Sequence, residues 1–269
     1  MPASIEEFSA HGNRFALASC RRIHEGDAMA NVYESDQLLS EYLLMHYGSE
    51  EEIMPWKFGP KEAIGFPART VAYFPEENCD RTLDLGCAVG RSSFELSRSS
   101  AEVIGIDFSQ SFIDAAETLR SSGQHDYQIL ETGKQSRPAT ATLPDGAIPE
   151  RVRFLQGDAM NLPDSLGSFD RVHAANLICR LPEPQKLLQR LGSLVRPGGT
   201  LVLATPCTWL DEFTPPANQP QSDTFSWLKD ELAEHFELCS QHDEPFLIRE
   251  TARKFQWTVS LVSVWKRKA

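Results

Sequence analysis

Residues 81–93, RTLDLGCAVGRSS, constrain this chain more than any other stretch. Thr82, Leu83 and Leu85 make a short apolar run that reads as a buried strand, Gly86 and Gly90 bracket a tight loop, and Ser92-Ser93-Phe94-Glu95-Leu96 opens a helix. A strand, glycine turn, helix unit leaves bare backbone amides at the helix start, aimed at whatever lies above the strand. Such a unit belongs to an α/β sheet with parallel strands.

The glycine spacing narrows the ligand. A dinucleotide fingerprint needs glycine at the first, third and sixth places, and counting from Gly86 these hold Gly86, Ala88 and Arg91. A phosphate-cradling loop needs a Lys after its last glycine, and Arg91 follows Gly90. Asp84 at the strand end repels a pyrophosphate and attracts a cation. These features favour S-adenosylmethionine (SAM), which carries a sulfonium and an ammonium, and the stretch resembles motif I of the class I methyltransferases, with Ala88 where many have glycine. Taken alone, such a turn is also what a purely structural strand-to-helix corner looks like.

The next acids add to the pattern. Val103-Ile104-Gly105-Ile106-Asp107 is a second apolar strand ending in a carboxylate about 20 residues beyond the glycine, where an acid takes both ribose hydroxyls. Residues 154–159 close a third strand at Asp158 and Ala159; in the methyltransferases this chain resembles, that acid reaches the adenine amino group. A fourth strand over 169–176 ends in Asn176, followed by a helix over 185–195, the turn Arg196-Pro197-Gly198-Gly199 and a strand over 200–204. The expected cofactor contacts are therefore Asp84, Gly86, Cys87, Ala88, Gly90, Asp107, Phe108, Asp158, Ala159 and Asn176.

A chain of 269 residues with 41% hydrophobic and 24% charged residues is ample for an α/β core with attachments. Its net charge of −12 disfavours nucleic acid and anionic lipid, which reward clustered Lys and Arg. The six cysteines, Cys20, Cys79, Cys87, Cys179, Cys207 and Cys239, form no C-x-x-C pair, so no metal site is expected and the thiols read as free in a reducing compartment. No long apolar run marks a signal peptide or membrane span, and the expected location is the cytoplasm.

Residues 1–30 read as a loosely ordered leader or a short helix capping the sheet. A helix begins at Asp36, its expected N-cap, and stops at Gly48. Tyr33, Tyr42, His46 and Tyr47 on this segment are more polar aromatics than a core needs, since each buried hydroxyl requires a partner. A packing helix with a satisfied histidine is the plainer reading. Residues 60–74 read as a second helix with Pro60 first, carrying Arg69 either to meet the methionine carboxylate of the cofactor bidentately or to stand as a surface arginine. Ser109 caps a helix over 110–121, and residues 127–143 carry two β-prone runs about a Gly-Lys-Gln-Ser-Arg-Pro turn, expected as an inserted hairpin. A helix over 222–235 follows a proline-rich loop, capped by Ser222 or Asp223. The end reads as a hairpin of 236–241 and 255–265 around a loop holding 245–254. The expected whole is a Rossmann-like class I methyltransferase: a seven-stranded, mostly parallel sheet with an antiparallel last strand and helices on both faces. Residues 1–75 make an N-terminal helical cap, and 76–269 the core with the hairpin at 124–150.

Several phrases narrow the likeness: Tyr33-Glu34-Ser35-Asp36 with Glu41-Tyr42-Leu43-Leu44, residues 84–96 with Cys87-Ala88-Val89, Ala174-Ala175-Asn176-Leu177, Trp209-Leu210-Asp211-Glu212-Phe213-Thr214, and residues 248–256. Together they resemble the methyltransferase of ovothiol biosynthesis, over roughly residues 31–266. After Thr214 the chain runs Pro-Pro-Ala-Asn-Gln-Pro where that family has tryptophan and paired glycines, and Cys179 stands where an acid precedes Arg180.

The resemblance implies methyl transfer to a ring nitrogen of 5-thiohistidine, giving ovothiol A, with the substrate supplied by an iron-dependent sulfoxide synthase, either a separate enzyme or the front part of a larger protein. The nucleophile is a neutral imidazole nitrogen whose tautomer is held by a hydrogen bond to the opposite nitrogen, for which Tyr47, Asn176 and Glu212 are the candidates. Arg249 and Arg253 are the candidates for the amino acid carboxylate, with a mere charged turn as the competing reading of their loop. Tyr33, Tyr42, His46, Arg180, Trp209 and Phe213 complete the expected acceptor site. The alternatives are a methyltransferase of another small metabolite, such as histidine or a phenolic acid, and a cofactor-binding scaffold without turnover.

Overall fold

Alternating apolar runs and amphipathic segments assemble around one sheet. In this computed structural model, which describes Val32–Ala269, the central strand β1 (Cys79–Leu85) pairs in parallel with β2 (Ser100–Asp107) on one side and β6 (Phe169–Ala175) on the other. Outside β2 lies β5 (Val152–Gln156), and outside β6 lies β7 (Val195–Thr205), both parallel. The last strand β9 (Lys254–Arg267) is antiparallel to β7, and β8 (Phe236–Thr251) closes the edge, giving the order β5-β2-β1-β6-β7-β9-β8. This is the seven-stranded arrangement expected from the sequence.

Side-chain alternation sends neighbouring residues to opposite layers. On β7, Leu201 and Leu203 join one apolar cluster, with α6 (Pro184–Leu194) and α7 (Thr224–Leu232), while Val202 and Ala204 join the other. That second layer holds α1 (Asp36–Tyr47), α2 (Glu50–Ile53), α3 (Phe66–Val71), α4 (Arg91–Leu96) and α5 (Gln110–Ser122). The hairpin β3 (Gln124–Thr132) and β4 (Gln135–Thr142) forms its own two-stranded sheet, turning at Gly133 and Lys134 and burying Tyr127, Ile129 and Ala141 in the same layer. Residues 1–30, expected as a leader or capping helix, lie outside the described residues, as does Cys20.

Three boundaries differ from the sequence reading, and the choice of cap on the helix after the proline-rich loop, left open there, is decided. Ser35, not Asp36, caps α1, its Oγ accepting Leu38 N–H at 3.3 Å, and Asp36 takes the first helical position where a carboxylate suits the helix dipole. Residues 60–74 are not one helix: a single turn over Lys61–Ala63 ends, and Gly65 at φ 80° redirects the chain into α3. Asp223 rather than Ser222 caps α7. The loop expected over 245–254 is instead the second half of β8, because Phe246 and Leu247 bury against the helical layer, and Pro245, which lacks an N–H, is tolerated on an edge strand.

Candidate active site at the carboxyl ends of the parallel strands

The chain leaves β1 at Leu85, and Gly86 and Cys87 donate backbone N–H to Ile106 carbonyl at 2.8 and 3.1 Å, locking the turn to the end of β2. Gly90 stands at φ 87°, and a Cβ there would lie 2.7 Å from the Phe154 ring and 3.1 Å from Ala116, so the loop needs glycine for both reasons. Ala88 also sits at positive φ, 46°, a left-handed conformation that costs an L-residue free energy. What holds it is Asp107: one carboxylate oxygen accepts Ala88 N–H at 2.8 Å, and the other accepts Ser109 N–H at 2.9 Å. Burial pushes the Asp107 carboxyl up to about 6, opposed by those two amides and aided by the charge of Asp84.

Gly157 N–H donates to Asp107 carbonyl, bringing the loop after β5 alongside, and Asp158 there accepts Met160 N–H at 2.9 Å with Ala159 buried behind it. Phe108 leaves its ring 59% exposed at the same end of the sheet. Each carboxylate oxygen has two acceptor sites, so Asp107 keeps capacity for two hydroxyls after bonding its amides. An exposed aromatic face, an acid able to take a diol and a second acid on the adjoining loop suit a nucleoside. Cys87 contributes small size only, since burial drives its thiol pKa well up and keeps it protonated.

Asp84 does not act as the sequence suggested. It is 1% exposed, and its oxygens are taken by Ser93 Oγ at 2.6 Å and His173 Nδ1 at 2.8 Å, with His173 Nε2 in turn 3.0 Å from Thr70 Oγ1. The strand position turns the carboxylate into the helical layer, where it ties β1 to α4, β6 and α3. It supports the loop from beneath and offers no free oxygen to a cation. Sequence reasoning missed His173, Thr70 and Ser93; a histidine inside an otherwise apolar strand was the available signal, since a buried imidazole needs partners.

Across from Asp107, the start of α1 supplies an aromatic cluster. Tyr33 packs edge-on against Tyr42 at 6.2 Å and Phe112 at 5.8 Å and lies 6.4 Å from Phe213, while Tyr42 stacks on His46 at 5.8 Å. Tyr47 donates its hydroxyl to Val89 carbonyl at 2.8 Å, pinning α1 to the glycine loop. Burial and the nearby Arg91 guanidinium push His46 down to about 3, so its imidazole is neutral at physiological pH, and its buried Nδ1 has no hydrogen-bond partner among the described residues. Asn176, at the end of β6, holds φ 56°; its Oδ1 accepts Ser260 Oγ–H at 2.7 Å, an anchor on β9 that the sequence did not reveal. Arg180 lies over the Phe213 ring at 4.8 Å with Tyr33 beside it. Phe112, Arg91 and Ser260 thus join Tyr33, Tyr42, His46, Tyr47, Asn176, Arg180 and Phe213.

The remaining expected residues sit elsewhere. Arg69 pairs with Glu244 at 2.7 Å and donates to Ile64 and Pro245 carbonyls, so its fork is consumed tying α3 to β8. Arg249 lies on β8, 2% exposed, bonded to Glu131 at 2.6 Å and to Glu52 carbonyl; it clamps the hairpin and does not face solvent as a loop residue would. Arg253 is exposed in the β8–β9 turn, over Trp56 at 5.1 Å. Trp209 donates to Thr224 Oγ1 at 2.9 Å and packs edge-on against Trp227, and Glu212 is exposed. Among the described residues no helix is long and apolar enough to cross a membrane.

Comparison with known proteins places this geometry. Two family profiles, each described as a methyltransferase domain, match residues 83–201 and 146–260. A trans-aconitate 2-methyltransferase from Deinococcus radiodurans is 30% identical over 149 residues, 54% of this chain and 46% of its own length. A ubiquinone biosynthesis O-methyltransferase from Xanthomonas campestris is 31% identical over 127 residues, 46% and 42% respectively. The chain therefore spans less than half the length of these relatives. Among solved structures, the [4+2]-cyclase SpnF superposes with a TM-score of 0.57 at 16% identity, covering 88% of this chain and 94% of its own. A putative methyltransferase from Bacillus halodurans superposes at 0.52 and 15%, covering 76% and 99%. Likeness at such identity speaks for the fold alone, and SpnF is itself a cyclase by name. Fold, loop geometry and profile matches agree that over residues 83–260 the chain carries a class I, SAM-dependent methyltransferase domain.

Proposed function

We propose that the protein transfers a methyl group from SAM to a ring nitrogen of 5-thiohistidine, giving ovothiol A. The observation that carries this reading is the aromatic acceptor end: Tyr33 edge-on to Tyr42 and Tyr42 stacked on His46, near Asp107, with Asn176 and Arg180 closing it from the end of β6. Of the phrases that resemble the ovothiol methyltransferases, those at 33–36, 41–44 and 174–177 and Phe213 of 209–214 contribute to that end, while 248–256 lies away from it on β8 and β9. An acidic small metabolite without an imidazole is the second reading, supported by Arg180 and by the relative named for trans-aconitate.

The bound cofactor supplies an electrophilic methyl on a sulfonium. Asp107 and Asp158 would hold its nucleoside, with the 86–90 loop beneath it. The chain's own task is alignment of the acceptor within about 3–3.5 Å of that methyl. A neutral imidazole attacks without a strong base, so what matters is which tautomer is held. Asn176 Oδ1 accepts Ser260 Oγ–H on one of its two lone pairs and keeps the other for the ring N–H opposite the attacking nitrogen. The aromatic walls exclude water and place the flat ring so that the thiolate, the stronger nucleophile, stays off the methyl axis.

The test is incubation of the full chain with methyl-labelled SAM and 5-thiohistidine, histidine or small carboxylic acids, with products located by mass spectrometry and NMR. A label on a ring nitrogen of thiohistidine is the expected result. Labelling of sulfur or of an acid only, or no label at all, would sink the assignment.

A further inference from the structure

Among the described residues, arginines are almost all spoken for. Arg81, Arg91, Arg98, Arg120, Arg137, Arg153, Arg190 and Arg196 are ion-paired, as are Arg69 and Arg249. Arg151 and Arg171 lack an acid but spend their donors on Ser97, Ser100, Pro75 and Glu77 carbonyls, and Arg267 on those of Gly192 and His235. Arg253 lies exposed on Trp56.

Arg180 differs from all of them. It is half-buried at the carboxyl end of β6, four residues beyond Asn176, and no carboxylate pairs with it among the described residues. One Nη1–H reaches Cys179 carbonyl at a long 3.3 Å, the Tyr33 phenol lies beside the guanidinium, and the Phe213 ring supports its face at 4.8 Å. In a chain of net charge −12, a guanidinium fixed by an aromatic plane with no acid of its own is an open cation. Its planar fork matches the two oxygens of a carboxylate.

From this placement we propose that Arg180, braced by Phe213 and Tyr33, receives the carboxylate of the methyl acceptor, the role that the sequence assigned to Arg249 and Arg253. The inference deepens the proposed function and rests on its view of which end holds the acceptor. Substrates are thereby restricted to small acids, and a free carboxylate becomes a condition of good turnover. The ring is also oriented: with its acid held at Arg180 and its N–H at Asn176 Oδ1, the lone-pair nitrogen is left facing the cofactor. SAM has a carboxylate of its own, and the experiment separates the two sources.

The experiment compares 5-thiohistidine with its decarboxylated counterpart, 5-thiohistamine, in wild type, Arg180→Ala and Arg180→Lys, with S-adenosylhomocysteine affinity measured by calorimetry. Wild type is expected to prefer the acid by about a hundredfold in kcat/KM, and Arg180→Ala to collapse that ratio to near one, chiefly through KM. Arg180→Lys restores part of it, because a point charge lacks the fork. Arg180→Ala that keeps the ratio, or that weakens S-adenosylhomocysteine by about tenfold or more, overturns the proposal; the second result puts Arg180 on the cofactor. If neither imidazole turns over, the proposed function fails by itself, and thermal shifts of the S-adenosylhomocysteine-saturated protein with histidine and histidinamide then decide Arg180. Stabilisation by the acid alone, lost in Arg180→Ala, upholds it; equal shifts overturn it.

Discussion

Replacing Asp107 by Asn separates the two tasks that the structure gives this carboxylate. It holds the strained Ala88 and the N–H of Ser109, one on each oxygen, and keeps a free acceptor site on each for a ribose diol. Asparagine is the same shape but has one oxygen, so one backbone N–H loses its acceptor, a charge-assisted bond worth about 1.5–3 kcal/mol. Against this, an acid whose carboxyl is raised from 3.8 to about 6 costs roughly 3 kcal/mol to keep ionised at pH 7. The two offset each other to within about 1–2 kcal/mol, and the fold survives.

Cofactor binding has no such compensation. Two hydroxyls that donated to a carboxylate lose about 1.5–3 kcal/mol each, and the S-adenosylhomocysteine Kd should rise by about 10²–10⁴. The wild-type carboxyl must be ionised to accept both, so affinity should fall as pH drops through about 6, while the Asn variant is flat. Stability runs the opposite way. The folded pKa lies above the unfolded one, so the Asp107 contribution is full below about pH 4 and is lost as pH rises through about 6. Calorimetry from pH 5 to 8, with circular dichroism to check the fold, reads both. A wild-type Kd flat across that range, or an Asn variant within threefold of wild type, refutes the reasoning.

Two further outcomes follow from the packing. Arg249→Ala should destabilise the protein by about 2 kcal/mol in urea, because Glu131 loses one of its two arginine partners, Arg137 remaining, and a buried guanidinium site is emptied; a stable variant with a raised acceptor KM would return Arg249 to the substrate. Gly90→Ala should lower the melting temperature and weaken cofactor binding together, with about 1–3 kcal/mol from the strained φ and the contact with Phe154. An unperturbed crystal structure of that variant would show the loop to be more adaptable than its geometry implies.

Much of the fold was legible because its signals are local. The apolar runs at 82–85, 103–107 and 200–204 and the helix starts after Gly90 and Ser109 each follow from a few neighbouring residues. The misjudged boundaries share a cause. Pro245 and the charges around it look like a loop, yet Phe246 and Leu247 find a buried surface supplied by residues far away in the chain, and tertiary burial overrides the local signal.

What the sequence determined by itself was the strand, loop and helix unit at 81–93 and the order of elements after it, since strand and helix periods are written in adjacent residues. Only the tertiary structure decided which polar groups are free for a ligand. Asp84 and Asp107 both end strands, but pleat direction turns the first toward His173 and Ser93 and leaves the second at the rim. Arg69 and Arg249 look as available as Arg180 until Glu244 and Glu131, 175 and 118 residues away, reach them. A charge is open or spent according to what the fold brings beside it, and that is a property of distances through space, which spacing along the chain does not carry.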